Sequence, residues 1–334
     1  MLNAGVIGMG IGEKHALAYQ NHPNASLKTF CDIDLKKIEL LKSKFPKSNA
    51  QTDAQTLLED DKIDILSICS YDNYHSSQII KAFKAGKHVM AEKPLCLDQS
   101  EMLAIYKTQK QNPDTKLSSN LVLRTNPRFR KLRKKILAGE FGDIFYIEGD
   151  YYWGRKTKLF GWRAEMDFYS IILGAAIHMI DLVIWMLGDK PVSVQASGNN
   201  ISTKNSKLEY NSFGLILLNF SNGIIVKITG NGGCIHPHFH GLKIYGTKQT
   251  AIHNLNSAYY INSRDSISDF SPIIEPYPEK RTREKIIFSF VDSILNDSMK
   301  PLVCQQDVYD VMSVCFAAEE AMNTGEKVKV QYLK

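Results

Sequence analysis

The run Ala4-Gly5-Val6-Ile7-Gly8-Met9-Gly10-Ile11-Gly12 decides how this chain folds. Its first four residues read as a buried strand, the glycines as a tight turn, and a helix follows from about Gly12 until Pro23. Where a strand turns straight into a helix, the first helical N–H groups lie open to an anion. Glycine there lets a pyrophosphate approach the backbone. The third glycine stands one position earlier than in the usual spacing, which would place it at Glu13. A second strand, Leu27 to Cys31, leads to Asp32, about twenty residues past the turn. An acid there accepts hydrogen bonds from ribose hydroxyls and repels a 2′-phosphate, so NAD is favoured over NADP. Gly8, Met9, Gly10, Ile11, Gly12 and Asp32 are therefore cofactor-binding candidates.

The alternation continues outward from this unit. Strands at Ile63–Ile68 and His88–Ala91 are separated by a helix ending at Gly86, and Asp98 with Glu101 forms a capping box for the next helix. Strands alternating with helices predict a parallel, doubly wound sheet, whose ligands bind beyond the carboxyl ends of the strands. Three such ends carry polar residues: Ser70 to His75, Glu92-Lys93-Pro94, and Asn120 to Arg124. Ser70, His75 and Glu92 join the cofactor candidates. Lys93, between an acid and a proline, can donate to a substrate oxygen and stabilise developing negative charge.

The pattern changes after about Leu117. Asn126-Pro127 opens a helix, and strand-like segments follow at Ile144–Tyr152, Val192–Ala196, Phe213–Phe220, Ile224–Thr229 and Leu242–Tyr245. Helices are expected at about Ser170–Leu187, Glu284–Leu295 and Gln305–Asn323. This predicts an α+β second half with a large, mainly antiparallel open sheet. With 334 residues, two domains are the natural division, 1–120 and 121–334, the last helix (about 305–324) packing back near the first.

Composition excludes several classes. With 44% apolar and 23% charged residues, the chain is neither disordered nor fibrous. The formal charge of +6 is local: Arg124, Arg128, Arg130, Lys131, Arg133, Lys134 and Lys135 supply it. Phe129, Leu132 and Ile136 give that helix an apolar face, so the charges are expected on the other, solvated face, and no nucleic-acid motif accompanies them. The six cysteines form no CxxC pair, and the N-terminus opens on a strand. A reduced cytoplasmic protein is expected, without a membrane span. His236-Pro237-His238-Phe239-His240 sets imidazoles at alternate positions, but no Cys or acid stands at a fitting distance. It is read as a loop beside the substrate pocket, and no metal is expected.

Further features carry a resemblance. The glycine turn, Asp32, Ala85-Gly86-Lys87-His88-Val89 into Glu92-Lys93-Pro94, and His178 with Asp181 are similar to the Gfo/Idh/MocA oxidoreductase family. So are Arg124 with Pro127, Gly139-Glu140-Phe141-Gly142, Trp162-Arg163 and Ile244-Tyr245-Gly246-Thr247. The resemblance implies an N-terminal Rossmann domain, a C-terminal domain whose open sheet covers the active site, and nicotinamide-dependent redox chemistry on sugars, cyclitols or nucleotide sugars. It implies that Lys93 and His178 are catalytic, that the Lys93–Pro94 bond is cis, and that Asn120, Arg124, Trp162, Arg163 and Asp181 face substrate. It also implies a homodimer or homotetramer formed through the C-terminal sheet.

Besides the shifted third glycine, two departures stand out. Ser70-Tyr71 replaces a common Thr-Pro, and Gly174 replaces an Asp one turn before His178. Without that Asp, three outcomes stay open: His178 acts as base alone, Asp181 three residues on orients it, or activity is lost. The expected mechanism has His178 take a hydroxyl proton while Lys93 steadies the oxygen and hydride passes to NAD. Two other readings stay open: an NAD-dependent glycosidase of the same family, and a dinucleotide-binding regulator without catalysis.

Overall fold

All six strands of the first sheet run parallel, in the order β3-β2-β1-β4-β5-β6. In the computed structural model, which describes residues 1–155, 158–265 and 270–333, these are β1 (Leu2–Ile7), β2 (Ala25–Cys31), β3 (Asn49–Gln51), β4 (Ile65–Ile68), β5 (His88–Ala91) and β6 (Leu117–Ser119). The helices between them are α1 (Gly12–Asn21), α2 (Leu35–Lys44), α3 (Gln55–Glu59), α4 (His75–Lys84) and α5 (Gln99–Gln111). Helices cover both faces of such a sheet, so β4 is apolar or small at every position and wholly buried. Strand order reverses beside β1, the point where open α/β sheets bind ligands. The capping box forms with one shift: Asp98 Oδ1 accepts from Glu101 N at 2.8 Å, while Glu101 Oε2 reaches Leu97 N, also at 2.8 Å.

The chain continues as α6 (Pro127–Leu137), β7 (Ile144–Tyr152), α7 (Ile177–Leu187), β8 (Ser193–Asn199), β9 (Phe213–Asn219), β10 (Ile225–Asn231) and β11 (Phe239–Gly246). It ends with β12 (Thr250–His253), β13 (Ala258–Ile261), β14 (Phe270–Pro272), α8 (Lys285–Leu295), α9 (Gln305–Thr324) and β15 (Val328–Lys329). The second sheet has nine strands in the order β14-β13-β12-β11-β7-β10-β9-β8-β15, antiparallel except where β7 and β10 run together. Burial alternates along β7 and β9, so one face of this sheet is covered and the other is not.

Two compact units divide the chain, but not by a single cut. One holds Met1–Val122 and Arg281–Val308, the other Leu123–Lys280 and Tyr309–Lys334. Residues 281–308, expected with the second half, group with the first. Hydrogen bonds hold them there: Ser118 Oγ to Val303 O at 2.9 Å, Lys116 Nζ to Asp297 Oδ1 at 2.6 Å, and His22 Nε2 to Asp292 Oδ1 at 3.1 Å.

The basic helix also differs from expectation. Asn126 caps α6, and Phe129 and Leu132 are buried, but the charges do not all face solvent. Arg128 donates to Glu275 O at 2.9 and 2.6 Å, and Arg133 to Trp185 O at 2.8 Å with its guanidinium over that indole. Arg130, Lys131 and Lys134 are exposed. Among the described residues, no helix is long and apolar enough to cross a membrane.

The segment entering α7 starts at Ser170. Its Oγ accepts from Ile172 N at 3.1 Å and Leu173 N at 3.0 Å, and its hydroxyl donates to Glu319 on α9. A π-helical turn, Ile172–Ala176, follows. Burial pushes the Glu319 carboxyl up to about 7, against the opposing effect of the Ser170 bond. A raised carboxyl favours the folded state while protonated, and that contribution fades as pH rises through about 7. Glu319→Gln is therefore expected to flatten the fall of Tm between about pH 5 and 8 and to melt above the parent at the alkaline end. Parallel Tm–pH curves for the two proteins would contradict this.

Candidate active site

The glycine turn is shaped by three different demands. Gly8 has φ +87°, and a Cβ there would lie 2.3 Å from Cys69 O. At Gly12 a Cβ would come within 2.7 Å of Val6 Cγ1, so glycine lets α1 press against β1. Gly10 has no atom within 4 Å of that position, so the turn opens here. Ile11 at the N-cap of α1 supplies no side-chain bond, whereas Asp34 and Asp98 cap α2 and α5. An uncapped helix start behind an open glycine fits a pyrophosphate.

Asp32 stands just past β2, 6% exposed. Its carboxylate accepts from Met9 N at 2.7 Å, Asp34 N at 3.0 Å and Lys37 Nζ at 2.9 Å. Burial alone would raise its pKa, but these donors hold it below the ordinary carboxylate range. The Met9 bond ties the acid to the glycine turn itself. Lys37 was not foreseen.

A buried polar cluster joins the ends of three parallel strands. Ser67, on β4, bonds His15 Nδ1 at 2.9 Å and the Tyr19 hydroxyl at 2.9 Å. His15 Nε2 faces Glu92 Oε1 at 3.3 Å, and the Asn120 amide donates to the same oxygen. Lys93 N lies 3.3 Å from Glu92 Oε2. Burial opposes ionisation of Glu92, yet His15, Asn120 and Lys93 hold its carboxyl below the usual range. Lys93 follows directly, and its bond to Pro94 is cis.

Several candidate residues have partners within the protein. His75 is wholly buried, with Nδ1 2.7 Å from Pro94 O and Nε2 3.2 Å from Ser70 O. It braces two strand-end loops. Ser70 Oγ donates to Gln78 Oε1 at 2.7 Å. The Asn120 amide nitrogen serves Glu92. Nothing in the sequence singled out His15, whose place one turn into α1 was the available signal.

His178 and Lys93 belong to different units. Glycines on the second sheet let the His178 helix come close. A Cβ at Gly149 would lie 2.8 Å from Ile228 Cδ1 and 3.3 Å from Met179 Cε, and one at Gly230 3.1 Å from Ile171 O. His178 is 9% exposed and lies parallel to Tyr151, ring centroids 5.6 Å apart at 9°. At Gly174 the absent side chain leaves room for Tyr169, whose hydroxyl lies 2.5 Å from where a Cβ would be. A larger residue at 174 requires Tyr169 to move.

Asp181 was expected to orient His178 or face substrate, and Arg124 to face substrate. The structure pairs them with each other. Arg124 Nη2 and Nε reach Asp181 Oδ1 at 2.6 and 3.0 Å, and the two residues are 2% and 1% exposed. A guanidinium committed to a buried carboxylate holds the chain ahead of α6 against α7. Arg163, also expected near substrate, lies over Trp162 at 4.1 Å and Trp153 at 5.6 Å. Of the three alternating imidazoles, His240 is on β11 and buried. Among the described residues no group of His, Cys, Asp and Glu could hold a metal.

The fold and the glycine cradle define a dinucleotide-binding Rossmann domain followed by an open-sheet α/β domain. Residues 2–120 match the oxidoreductase family with an NAD-binding Rossmann fold, and residues 129–252 match the GFO/IDH/MocA C-terminal domain. The chain belongs to the Gfo/Idh/MocA family. It is 25% identical to myo-inositol 2-dehydrogenase of Thermotoga maritima over 74% of this chain and 73% of that protein. It is 28% identical to D-glucoside 3-dehydrogenase of Escherichia coli over 61% of this chain and 60% of that one. The scyllo-inositol dehydrogenase of Lactobacillus casei, solved with NAD(H) and scyllo-inositol, shares the fold at a TM-score of 0.82, 21% identity and 99% of both chains.

Removing one member of a buried ion pair strands the other. Arg124→Ala is expected to lower unfolding free energy by about 3–5 kcal/mol in urea titrations. The double replacement Arg124→Met with Asp181→Leu should recover much of that loss. An Arg124→Ala protein as stable as the parent would refute the pairing's structural role.

Proposed function

We propose that this protein is an NAD-dependent dehydrogenase that moves hydride between a secondary hydroxyl of a sugar, cyclitol or nucleotide sugar and the nicotinamide. The observation that carries the reading is Lys93, presented at the carboxyl end of β5 by a Glu92 that is held from α1 and β6. Sugar and cyclitol dehydrogenases among the relatives support the substrate class.

The dinucleotide, held by the Gly8–Gly12 turn and Asp32, supplies the hydride acceptor. His178 takes the hydroxyl proton as the carbon gives up hydride and the C–O bond becomes a carbonyl. Lys93 hydrogen-bonds the oxygen and opposes the negative charge that grows on it. No carboxylate at residue 174 raises the basicity of His178, since that position is Gly174. Six cysteines, none of them in a disulfide, support a place in the cytoplasm.

We also infer that the uncovered face of the nine-stranded sheet pairs with a second copy of the chain. Leu215, Leu217 and Tyr245 are half-buried there, and Ile225 is 46% exposed. Between them lies a linked set of charges, Lys227 with Asp150 at 2.8 Å and Lys243 with Glu148 at 3.2 Å. Apolar residues around a satisfied polar centre suit a self-complementary interface.

Incubation with NAD and a panel of inositols, hexoses and nucleotide sugars should yield NADH from at least one of them. His178→Ala and Lys93→Ala should each lower kcat by about 10²–10⁴-fold while the NAD Kd holds. Full turnover by either variant removes that residue from the mechanism, and aglycone release without net NADH favours a glycosidase. Sedimentation velocity should give a dimer or tetramer that Leu217→Glu dissociates; a monomeric parent contradicts the interface.

A further inference from the structure

The His-Pro-His-Phe-His run plays no part in the chemistry above, yet its last ring, His240, stands beside His178. Tyr151 on β7 and His240 on β11 are cross-strand partners, on the same sheet face as Gly149, where α7 packs. His178 lies parallel to Tyr151 and edge-on to His240, the two imidazole centroids 6.3 Å apart. His238 is 5.3 Å from Tyr151 and 5.1 Å from His240. Three imidazoles thus surround one phenol ring.

His240 is held from behind. Its Nδ1 is hydrogen-bonded to the Tyr277 hydroxyl. The Tyr277 ring packs against Phe129 at 5.5 Å, Phe239 at 5.3 Å and His253 at 4.5 Å, with the Arg128 guanidinium 5.8 Å away. Arg128 also bonds Glu275 O, two residues before Tyr277, and His253 Nδ1 at 2.9 Å. The segment carrying Tyr277 is therefore tied to α6. An imidazole with one nitrogen engaged by a fixed hydroxyl has a fixed ring plane and a fixed direction for its other nitrogen.

We infer that His240 is a second substrate-binding imidazole of the His178 site, positioned by Tyr277, and that it bonds a hydroxyl adjacent to the one oxidised. The inference rests on the polyol oxidation proposed above. A hydroxyl both donates and accepts, as imidazole does, so two neighbouring imidazoles match two neighbouring hydroxyls. The Tyr151 ring, 5.6 Å from His178 and 4.9 Å from His240, supplies the apolar surface that such pockets combine with a few placed polar groups. A simple secondary alcohol would use His178 alone. The arrangement thus selects vicinal diols and polyols, and the basic helix serves the site by anchoring Tyr277.

The test uses NAD-loaded protein with myo-inositol and D-glucose as probes. Tyr277→Phe removes one oxygen and should raise the KM of the oxidised probe about tenfold, as for one lost hydrogen bond. The kcat should stay within about threefold, and the NAD Kd should not change. His240→Gln, which keeps a polar head without the ring, should raise KM at least as much. In imidazole ¹⁵N spectra the oxidised probe should shift His178 and His240 together. An unchanged KM in Tyr277→Phe, or a probe that shifts His178 and leaves His240 still, overturns the assignment. If neither probe is oxidised or moves His178, the polyol reading itself fails, and this assignment with it.

Discussion

A carboxylate removed from water must be bonded on every side that matters, and Glu92 is. Helix α1 reaches it through His15, β6 through Asn120, and its own strand through the Lys93 amide. His15 is in turn fixed by Ser67 on β4. The ends of β4, β5 and β6 and the helix behind the glycine turn are thereby coupled through one buried acid. Loss of one partner in such a network leaves an unpaired charge in a low-dielectric interior. The place of Lys93, and so the contact with a substrate oxygen proposed for it, depends on that coupling.

The second unit solves a comparable problem by close approach. Gly149 and Gly230 strip side chains from the sheet where the π-turn and α7 pass over it. A π-turn rotates the facing of the residues after it, and such turns recur at functional sites. His178 comes two residues after this one and lands parallel to Tyr151. Glycine at 174 belongs to the same design, because the Tyr169 phenol fills the space where a side chain would stand.

Local features were readable in the chain because their causes are local. The strand–turn–helix at Gly8–Gly12, the cap at Asp98, the Asn126-Pro127 helix start and the alternation of β7 and β9 each arise within a few residues. The unread features are long-range or short. Arg124 and Asp181 are far apart in sequence, and only the packing of the chain ahead of α6 against α7 shows that they satisfy each other. His15 and His75 look like ordinary helix residues until the strand ends around them are placed. β3, β14 and β15 are two or three residues long and lie at sheet edges, where hydrophobic pattern carries little signal. The solvated-face reading of the basic helix failed for the same reason: Arg124, Arg128 and Arg133 have specific inward partners that no helical pattern reveals.

Direct hydride transfer from a substrate carbon is the central claim, and isotope transfer tests it most directly. Protein incubated with NAD and myo-inositol deuterated at every ring carbon should yield NADH one mass unit heavier than NADH from unlabelled substrate. Unlabelled NADH, with deuterium lost to water, would contradict the account, because the carbon-bound hydrogen would then have left as a proton.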